Sequence, residues 1–459
     1  MRTAFALAST AMLVAGCAAP NLPRPSASSV SAPPGWRTEL PAPNAAVNAG
    51  WWQGFGDPIL TGLVERALAH NPDVAIAAAR VQEARANERL ARAQLFPTLD
   101  VGAGVTRSRS IGPLGAATET TAGQPLFQAA YEVDLFGRIG NQVEAARLTA
   151  AASEAARDAA ALAVASATAS GYVTLLGLDA RRAIVRATIA SRGEALRLAR
   201  SRAEAGYTSD LELRQAQAEF EATAQLLPQV DLAIGRQENA LSLLVGESPR
   251  AIAREDSLDR LRPLPVPEGL PSELLRRRPD LAQTERILAA SDRSLAAARA
   301  QYLPSIRLTG TAGLTLSTAL RDPLSIWSLG ASILAPLFEG GRLCANVEGA
   351  AARRDQAAFA YQRAALTAFR EVDDALLGLD RLAAQRVRQE AQRSALAEAL
   401  RHATNRYRAG YTTYLEQLDA QRALLSAELS VVQLRVDELN TLITLYQAMG
   451  GGWSVNPGE

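Results

Sequence analysis

The chain has 459 residues, 48% of them hydrophobic, and its 48 basic and 47 acidic side chains leave a formal net charge of +1. A net charge this close to zero excludes the strongly basic composition that is typical of nucleic-acid-binding proteins, so no nucleic-acid partner is expected. The length and the apolar fraction are sufficient for a large buried core.

The first 17 residues have the features of a bacterial lipoprotein signal peptide. Arg2 supplies a positive charge, residues 4–14 form an apolar stretch too short to span a bilayer, and residues 14–17 (VAGC) resemble a lipobox. We therefore expect Cys17 to be lipidated, the alternative being an ordinary secretory signal with an incidental cysteine. Ala18 stands where an aspartate usually retains lipoproteins at the inner membrane, which favours a lipid-anchored outer membrane protein that extends into the periplasm. With Cys17 modified, Cys344 has no disulfide partner in the chain.

Residues 18–50 are expected to form an extended tether, because seven prolines lie there among Ser, Ala and Asn. After residue 17, no continuous apolar run of about 20 residues predicts a transmembrane helix.

From residue 51 onward the chain contains one unit of about 200 residues twice. Residues 71–75 (NPDVA) return as 278–282 (RPDLA), and residues 205–212 (AGYTSDLE) return as 409–416 (AGYTTYLE). A period this long indicates two structurally equivalent halves and not a solenoid of short repeats. The predicted domains are a first repeat at 51–250, an inter-repeat linker at 251–272, a second repeat at 273–450 and a C-terminal tail at 451–459.

Each repeat contains two segments in which apolar and polar residues alternate, the period of a β-strand. The strands are predicted at about 98–107, 124–136, 305–318 and 325–337. Strands of this length span an outer membrane with their apolar face toward lipid, but a membrane-spanning sheet has to close, and four strands are too few. The chain must therefore pool its strands with copies of itself. Counting strands leaves both a dimer with eight and a trimer with twelve open.

A long helical segment follows each strand pair. Residues 138–204 are rich in strong helix formers and contain no proline, and glycine-containing reversals follow at 205–210 and, in the second repeat, at 409–414. Shorter helices predicted at 57–95 and 211–245 together match the long one, so we expect them to stack end to end beside it. A fibrous coiled coil is the alternative, and the alternating strands disfavour it.

Five segments in chain order carry specific motifs: 51–58 (WWQGFGDP), 134–138 (DLFGR), 269–280 (GLPSELLRRRPD), 336–342 (PLFEGGR) and 448–453 (AMGGGW). Together they resemble the TolC-like outer membrane factors and, more narrowly, the NodT-type lipoproteins of multidrug efflux systems. The resemblance implies a mainly α fold with a membrane β-barrel, in which a homotrimer forms a twelve-stranded barrel in outer membrane lipid, continued by a twelve-helix periplasmic tunnel.

The same resemblance implies passive conduction, without enzymatic activity, cofactor or metal. The implied partners are a periplasmic adaptor and an inner-membrane pump, usually of the resistance-nodulation-division class. Two alternative functions remain: a type I secretion outlet for proteins, and a structural periplasmic lipoprotein rod. Nothing in the sequence identifies the substrate.

If the strands cross the membrane and the N-terminus is anchored on its periplasmic face, both helix reversals are periplasmic tips. We expect the tips to dock the adaptor, whereas the alternative is that their residues only reverse the helices. The residues concerned are Arg202, Gly206, Tyr207, Thr208, Arg406, Gly410, Tyr411 and Thr412.

Just beyond the second tip the repeats diverge in charge. Leu415, Asp419 and Arg422 have the spacing of one helix face, and the equivalent positions of the first repeat are uncharged: Leu211, Gln215 and Ala218. The three residues match the constellation that constricts the tunnel in lipoprotein members of the family, which implies a periplasmic gate. Three-fold symmetry would bring three Asp419 carboxylates into a ring, and Arg422 is the candidate to offset their repulsion. The alternative is an ordinary exposed salt bridge.

Overall fold

The computed structural model describes residues 25, 30–38, 48–111, 115, 117–254, 257–267 and 269–453. Cys17, the whole predicted signal peptide and much of the predicted tether and tail lie outside the described residues. The chain forms two compact units. One contains residues 79–154 and 283–363, and the other contains residues 31–78, 155–282 and 364–459, as far as these are described.

Both repeats fold into helices and two strands in the same order. The first repeat comprises α1 (Pro58–His70), α2 (Pro72–Ala93), β1 (Thr98–Ile111), β2 (Ala117–Val133), α3 (Arg138–Glu204), α4 (Asp210–Ala224) and α5 (Leu226–Leu244). The second comprises α6 (Pro271–Arg277), α7 (Pro279–Ala300), β3 (Ser305–Ser317), β4 (Leu324–Leu334), α8 (Arg342–Arg408) and α9 (Tyr414–Ala448). The chain is therefore mainly helical with a small sheet.

Prolines determine where the shorter helices break. Pro72 separates α1 from α2, and Pro228 lies in the first turn of α5, where it has no N–H to bond the carbonyl of Ala224. The single helices predicted at 57–95 and 211–245 are therefore each two helices. The equivalent α9 contains no proline and continues over 35 residues.

The end of α5 meets the break between α1 and α2. Asn71 Nδ2 donates to the carbonyl of Leu244 at 2.9 Å. Gly246, at a φ of 72°, lies so close to His70 that a Cβ there would be 2.4 Å from its carbonyl oxygen. Left-handed backbone and absence of a side chain are both needed here, which accounts for glycine. The shorter helices therefore do meet end to end.

The second repeat reproduces this junction with different side chains. Arg278, at the position equivalent to Asn71, donates through Nη1 to the carbonyl of Ala448 at 3.3 Å. Gly450, at a φ of 91°, lies against the carbonyl of Arg277. The sequence duplication is thus a structural duplication at the level of single hydrogen bonds.

The four strands form one antiparallel sheet in the order β1-β2-β3-β4. Val101, Phe127, Ala312 and Trp327 are paired in one row across the sheet. The adjacent row, on the opposite face, is Asp100, Gln128, Thr311 and Ser328. The large side chains of the apolar row are exposed to solvent within this chain. An exposed apolar face opposite a polar face is the pattern of a strand that separates lipid from water.

The strand ends differ from the predicted ones: β1 continues to Ile111, beyond the predicted 107, and β3 ends at Ser317, one residue early. β2 begins at Ala117 rather than at 124, because the threonine-rich segment that precedes 124 pairs with the end of β1. It ends at Val133 rather than at 136, because Asp134 accepts hydrogen bonds from the backbone of Ile139 (3.0 Å) and Gly140 (2.6 Å) at the start of α3. β4 ends at Leu334, ahead of Pro336.

The largest apolar core lies in the second unit, around the aromatic motif at the start of the first repeat. The rings of Trp51 and Tyr446 stack at 5.6 Å between centroids. Asp57 caps α1 by accepting from the backbone of Ile59 and Leu60, and Tyr172 donates its hydroxyl to the same carboxylate at 2.9 Å. This carboxylate thus joins the start of the repeat to α3.

One 18-residue window of α3 is apolar enough to cross a membrane by length and composition, although the sequence analysis expects no such run. Half of this window is buried in the protein. Buried core helices meet the same criterion, and they account for a window of this kind.

Candidate functional site

The two helix reversals have the same backbone geometry. Gly206 and Gly410 adopt left-handed φ values of 75° and 79°. In both, the residue after the glycine bonds back into the helix: Tyr207 N to the carbonyl of Arg202 at 2.8 Å, and Tyr411 N to that of Arg406 at 2.9 Å. These are the bonds of a Schellman motif, which explains why both predicted tips have glycine at this position.

In each repeat, a threonine just before the next helix is hydrogen-bonded to a glutamate in the first turn of that helix. Thr208 donates its hydroxyl to the Glu212 carboxylate, and Thr412 donates to that of Glu416. Arg406 forms an ion pair with Glu416 at 3.1 Å. Tyr207 and Tyr411 are 85% and 80% exposed, so these two aromatic rings are available to a partner.

Tyr407 connects the two reversals, and the sequence analysis does not single it out. It is buried beside Tyr414, with 5.6 Å between ring centroids, and donates its hydroxyl to Glu212 of the first reversal. Arg202 lies 4.8 Å above the ring and donates to the carbonyl of Arg408 at 3.3 Å. Burial, together with the bond to Glu212, raises the pKa of Tyr407 to about 12.

The three predicted gate residues lie on the exposed face of α9. Leu415 is 51% exposed, and Asp419 and the side chain of Arg422 are exposed as well. The opposite face of the helix is buried through Tyr414, Leu418, Gln421 and Leu425. A ring of these exposed residues around a three-fold axis is compatible with this orientation.

Arg422 has a partner that the sequence analysis does not identify. Its Nε and Nη2 donate to Glu219 Oε2 at 2.9 and 2.5 Å, so its hydrogen bonds go to α4 and not to the Asp419 carboxylate of its own helix. Glu219 is only 6% exposed and also binds Arg192, which is 3% exposed. The result is an Arg192–Glu219–Arg422 triad that joins α3, α4 and α9.

The triad differs from an ordinary exposed salt bridge, because two of its three members are buried. Burial lowers the pKa of Arg192, while the hydrogen bond to Glu219 raises the pKa of Arg422. Removing Glu219 would leave the buried Arg192 charge without its carboxylate, which costs about 3–5 kcal/mol in comparable cases. Arg422 is the member of the triad that ties α9 to this buried pair.

A groove of about 600 Å³ lies between the ends of α3 and α8, next to the reversals. Arg197, Arg202 and Arg408 contribute to its walls. Gln417 and Gln421 also line it; both are 6% exposed, and their Oε1 atoms have no hydrogen-bond partner in the protein. These two acceptors are free to accept hydrogen bonds from water or from another molecule that enters the groove.

Sequence reasoning misses Tyr407, Glu219 and Arg192, but one signal was available. The duplicated positions in the other repeat carry Ala203, Ala423 and Leu396. All three are polar residues whose counterparts in the other repeat are apolar, a difference that the sequence alone contains.

The model of the outer membrane efflux protein family matches residues 63–247 and 270–451. The chain belongs to the outer membrane efflux protein family. The two matched segments correspond to the two structural repeats, and members of this family are outer membrane channels and not enzymes.

Individual relatives agree with this assignment over their whole length. The probable efflux pump outer membrane protein TtgC of Pseudomonas putida is 32% identical, covering 100% of this chain and 97% of TtgC. The probable outer membrane lipoprotein SilC of Salmonella typhimurium is 31% identical over 97% of this chain and 98% of its own. The crystal structure of the Campylobacter jejuni CmeC outer membrane channel superimposes with a TM-score of 0.86, at 25% identity and with 95% of both chains covered.

The predicted fold class, function and outer membrane localisation are thereby confirmed. The trimer, the domain boundaries and the roles of the individual site residues stay predictions.

Proposed function

We propose that this efflux protein acts as a homotrimeric channel that receives substrate from an inner-membrane pump, of the resistance-nodulation-division class, through a periplasmic adaptor. The observation that carries the proposal is the four-stranded sheet with an exposed apolar face, in which β1 and β4 each pair with a single neighbour. Unpaired strand edges are not tolerated in hydrocarbon, and three copies supply twelve strands for a closed barrel.

The adaptor is proposed to dock at the two reversals. Support comes from the exposed rings of Tyr207 and Tyr411 and from the adjacent groove with the unpartnered amide oxygens of Gln417 and Gln421. A photo-crosslinking residue at Tyr207 or Tyr411 is expected to capture the adaptor in cells. The matched control is Leu232, which is 55% exposed on α5. Capture at Leu232 that equals capture at both tyrosines would contradict docking at the tips.

The gate is proposed to consist of Leu415, Asp419 and Arg422, with the triad holding the tip closed. The orientation of these residues on the exposed face of α9 supports this role, since an apolar ring and a carboxylate ring both restrict conduction. The bonds from Arg422 to buried Glu219 supply a physical restraint on α9 within each chain.

The test is conductance in planar bilayers. Arg422→Glu places a carboxylate against Glu219 and adjacent to Asp419, so repulsion is expected to loosen the tip and raise the conductance. Ala218→Glu is the matched control, because it introduces the same charge at the equivalent position of the first repeat, where Gln215 is uncharged. It is expected to have a smaller effect.

The oligomer of each variant is checked by its mass in detergent. Unchanged conductance of Arg422→Glu with an intact oligomer would place the constriction elsewhere. If the wild-type protein gave no conductance in the bilayer, the proposal that it forms a channel would be wrong.

Lipidation of Cys17 is proposed from the lipobox, and the lipoprotein SilC, similar over nearly its whole length, supports it. Palmitate labelling is expected in the wild-type protein and not in Cys17→Ser. Equal labelling of the two proteins would rule the proposal out.

A further inference from the structure

The apolar face of the sheet carries a charged cluster near one end. Strand register places Arg107 and Arg109 on the same face as Leu99, Val101 and Val105, since alternate residues of a strand share a face. Arg109 is paired with Glu119 of β2, which therefore lies on this face too. The cluster of Arg107, Arg109 and Glu119 is distinct from the polar face, which is lined by the intervening residues.

All three charges are exposed, and cations outnumber anions. Arg107 Nη2 lies 2.9 Å from Glu119 Oε2, with the two side chains 74% and 50% exposed. Arg109 is directly opposite the same glutamate and is exposed as well. The cluster therefore has two guanidinium groups and one carboxylate, which leaves a net positive charge.

If Leu99 marks one edge of the apolar band, the length of the strand brings Arg109 to the other edge. From Leu99 to Arg109 the strand extends about 34 Å at roughly 3.4 Å per residue. With the usual strand tilt near 40°, that length corresponds to a height of about 26 Å, close to the roughly 25 Å apolar band of outer membrane barrels. Charges on a lipid-facing strand are costly at mid-membrane and nearly neutral at the interface, where a long arginine side chain reaches the headgroups.

This interface is the outer one. β1 begins at Thr98, shortly after α2 ends, and β2 ends at Val133, shortly before α3 begins, so the helices lie at the opposite end of the strands. In an outer membrane protein that extends into the periplasm, the strand ends remote from the helices face the exterior. The outer leaflet there consists of lipopolysaccharide, whose lipid A disaccharide carries phosphate groups at headgroup height.

We propose that Arg107 and Arg109 bind the lipid A phosphates of lipopolysaccharide. The planar guanidinium group matches phosphate geometry with two parallel hydrogen bonds, and two adjacent groups suit a multiply charged anion. Glu119 orients Arg107 when the site is empty and weakens the affinity for phosphate, because the carboxylate competes for the same donors.

The test uses the full-length protein in detergent, with bound lipid counted by native mass spectrometry. Bisphosphorylated lipid A is the probe, and dephosphorylated lipid A and phosphatidylglycerol are the comparison lipids. The double variant Arg107→Gln with Arg109→Gln is expected to lose lipid A affinity at least about tenfold, equivalent to roughly 1.4 kcal/mol. Glu119→Gln is expected to increase the affinity.

Arg307→Gln is the matched control. Arg307 is an exposed arginine of the same sheet, but its register with Glu132 places it on the polar face. Its variant is expected to bind lipid A like the wild type.

Retained affinity in the double variant, or an equal loss in Arg307→Gln, would overturn the site. Equal binding of phosphatidylglycerol would overturn the assignment to lipopolysaccharide. The mass of the assembled protein shows in every case that the variant is folded.

Discussion

Glu219 determines the electrostatics of the candidate gate. It is buried, and it holds one buried and one exposed arginine on two other helices. Exposed ion pairs contribute little to stability. An ion pair with a buried member is less screened by water, so a change in its charge has a larger effect. A single charge at Arg422 therefore affects the helix that presents Leu415 and Asp419.

Tyr407 provides a pH-dependent readout of the contact between the reversals. Its pKa is raised from the ordinary value of 10.0 to about 12 by burial and by the Glu212 carboxylate. A group whose pKa is higher in the folded state stabilises the fold fully below its unfolded pKa, and the contribution is lost as the pH rises through the folded pKa. We therefore expect the contact between the reversals to weaken between pH 10 and about 12.

The measurement is the ultraviolet absorbance of tyrosinate during an alkaline titration. Subtracting the curve of Tyr407→Phe from that of the wild type isolates one group. The expected midpoint of the difference is about 12. A midpoint near 10 would mean that Tyr407 is neither buried nor bonded to Glu212 in solution.

At the scale of elements, tight helix junctions and helix reversals use glycine for different reasons. Gly246 has both a left-handed backbone and a carbonyl where a Cβ would be, whereas Gly206 has only the left-handed backbone, with no atom within 4 Å of that Cβ position. The left-handed backbone is required by the turn of the chain itself. The lack of a side chain at Gly246 is required by the close contact with His70.

This difference predicts two different costs for the same substitution. Gly206→Ala should lower stability by about 1–2 kcal/mol from the left-handed backbone alone. Gly246→Ala should cost more, because the carbonyl of His70 must also move. Thermal unfolding of the two variants in detergent measures the difference, and an equal decrease in Tm would show that the junction does not pack as closely as described.

At the scale of the whole molecule, the sheet is the element that one chain leaves incomplete. β1 and β4 each have one hydrogen-bonded neighbour within the described residues, and the apolar face is exposed. Both features are unfavourable for a protein that works in a membrane as a single chain.

We therefore expect the detergent-solubilised protein to have the mass of a trimer and to resist dissociation in SDS. The trimer is expected to be stable because its twelve strands close into a barrel. In that barrel the edge strands β1 and β4 of each chain both pair with a neighbouring chain. A monodisperse monomer with intact strand content would contradict closure by three chains, and a dimer would restore the eight-stranded alternative.

The sequence by itself determined the features that depend on local pattern. The duplication, the alternation of Val101 with Asp100 and the Gly-Tyr-Thr reversals are all readable, because periodicity and turn geometry involve residues a few positions apart. The family motifs added the function, which the family model and the relatives confirm. The strand ends were less accurate, because they depend on pairing with the neighbouring strand and on the Asp134 bonds to the start of α3.

Only the tertiary structure decided which side chains meet. Arg422 contacts Glu219 across 203 positions, and Tyr407 contacts Glu212 across 195. No helical or strand period relates such residues; their contact depends on how α3, α4, α8 and α9 pack at their ends. The pairing of Arg109 with Glu119 likewise required the register between β1 and β2, which the two strands set together.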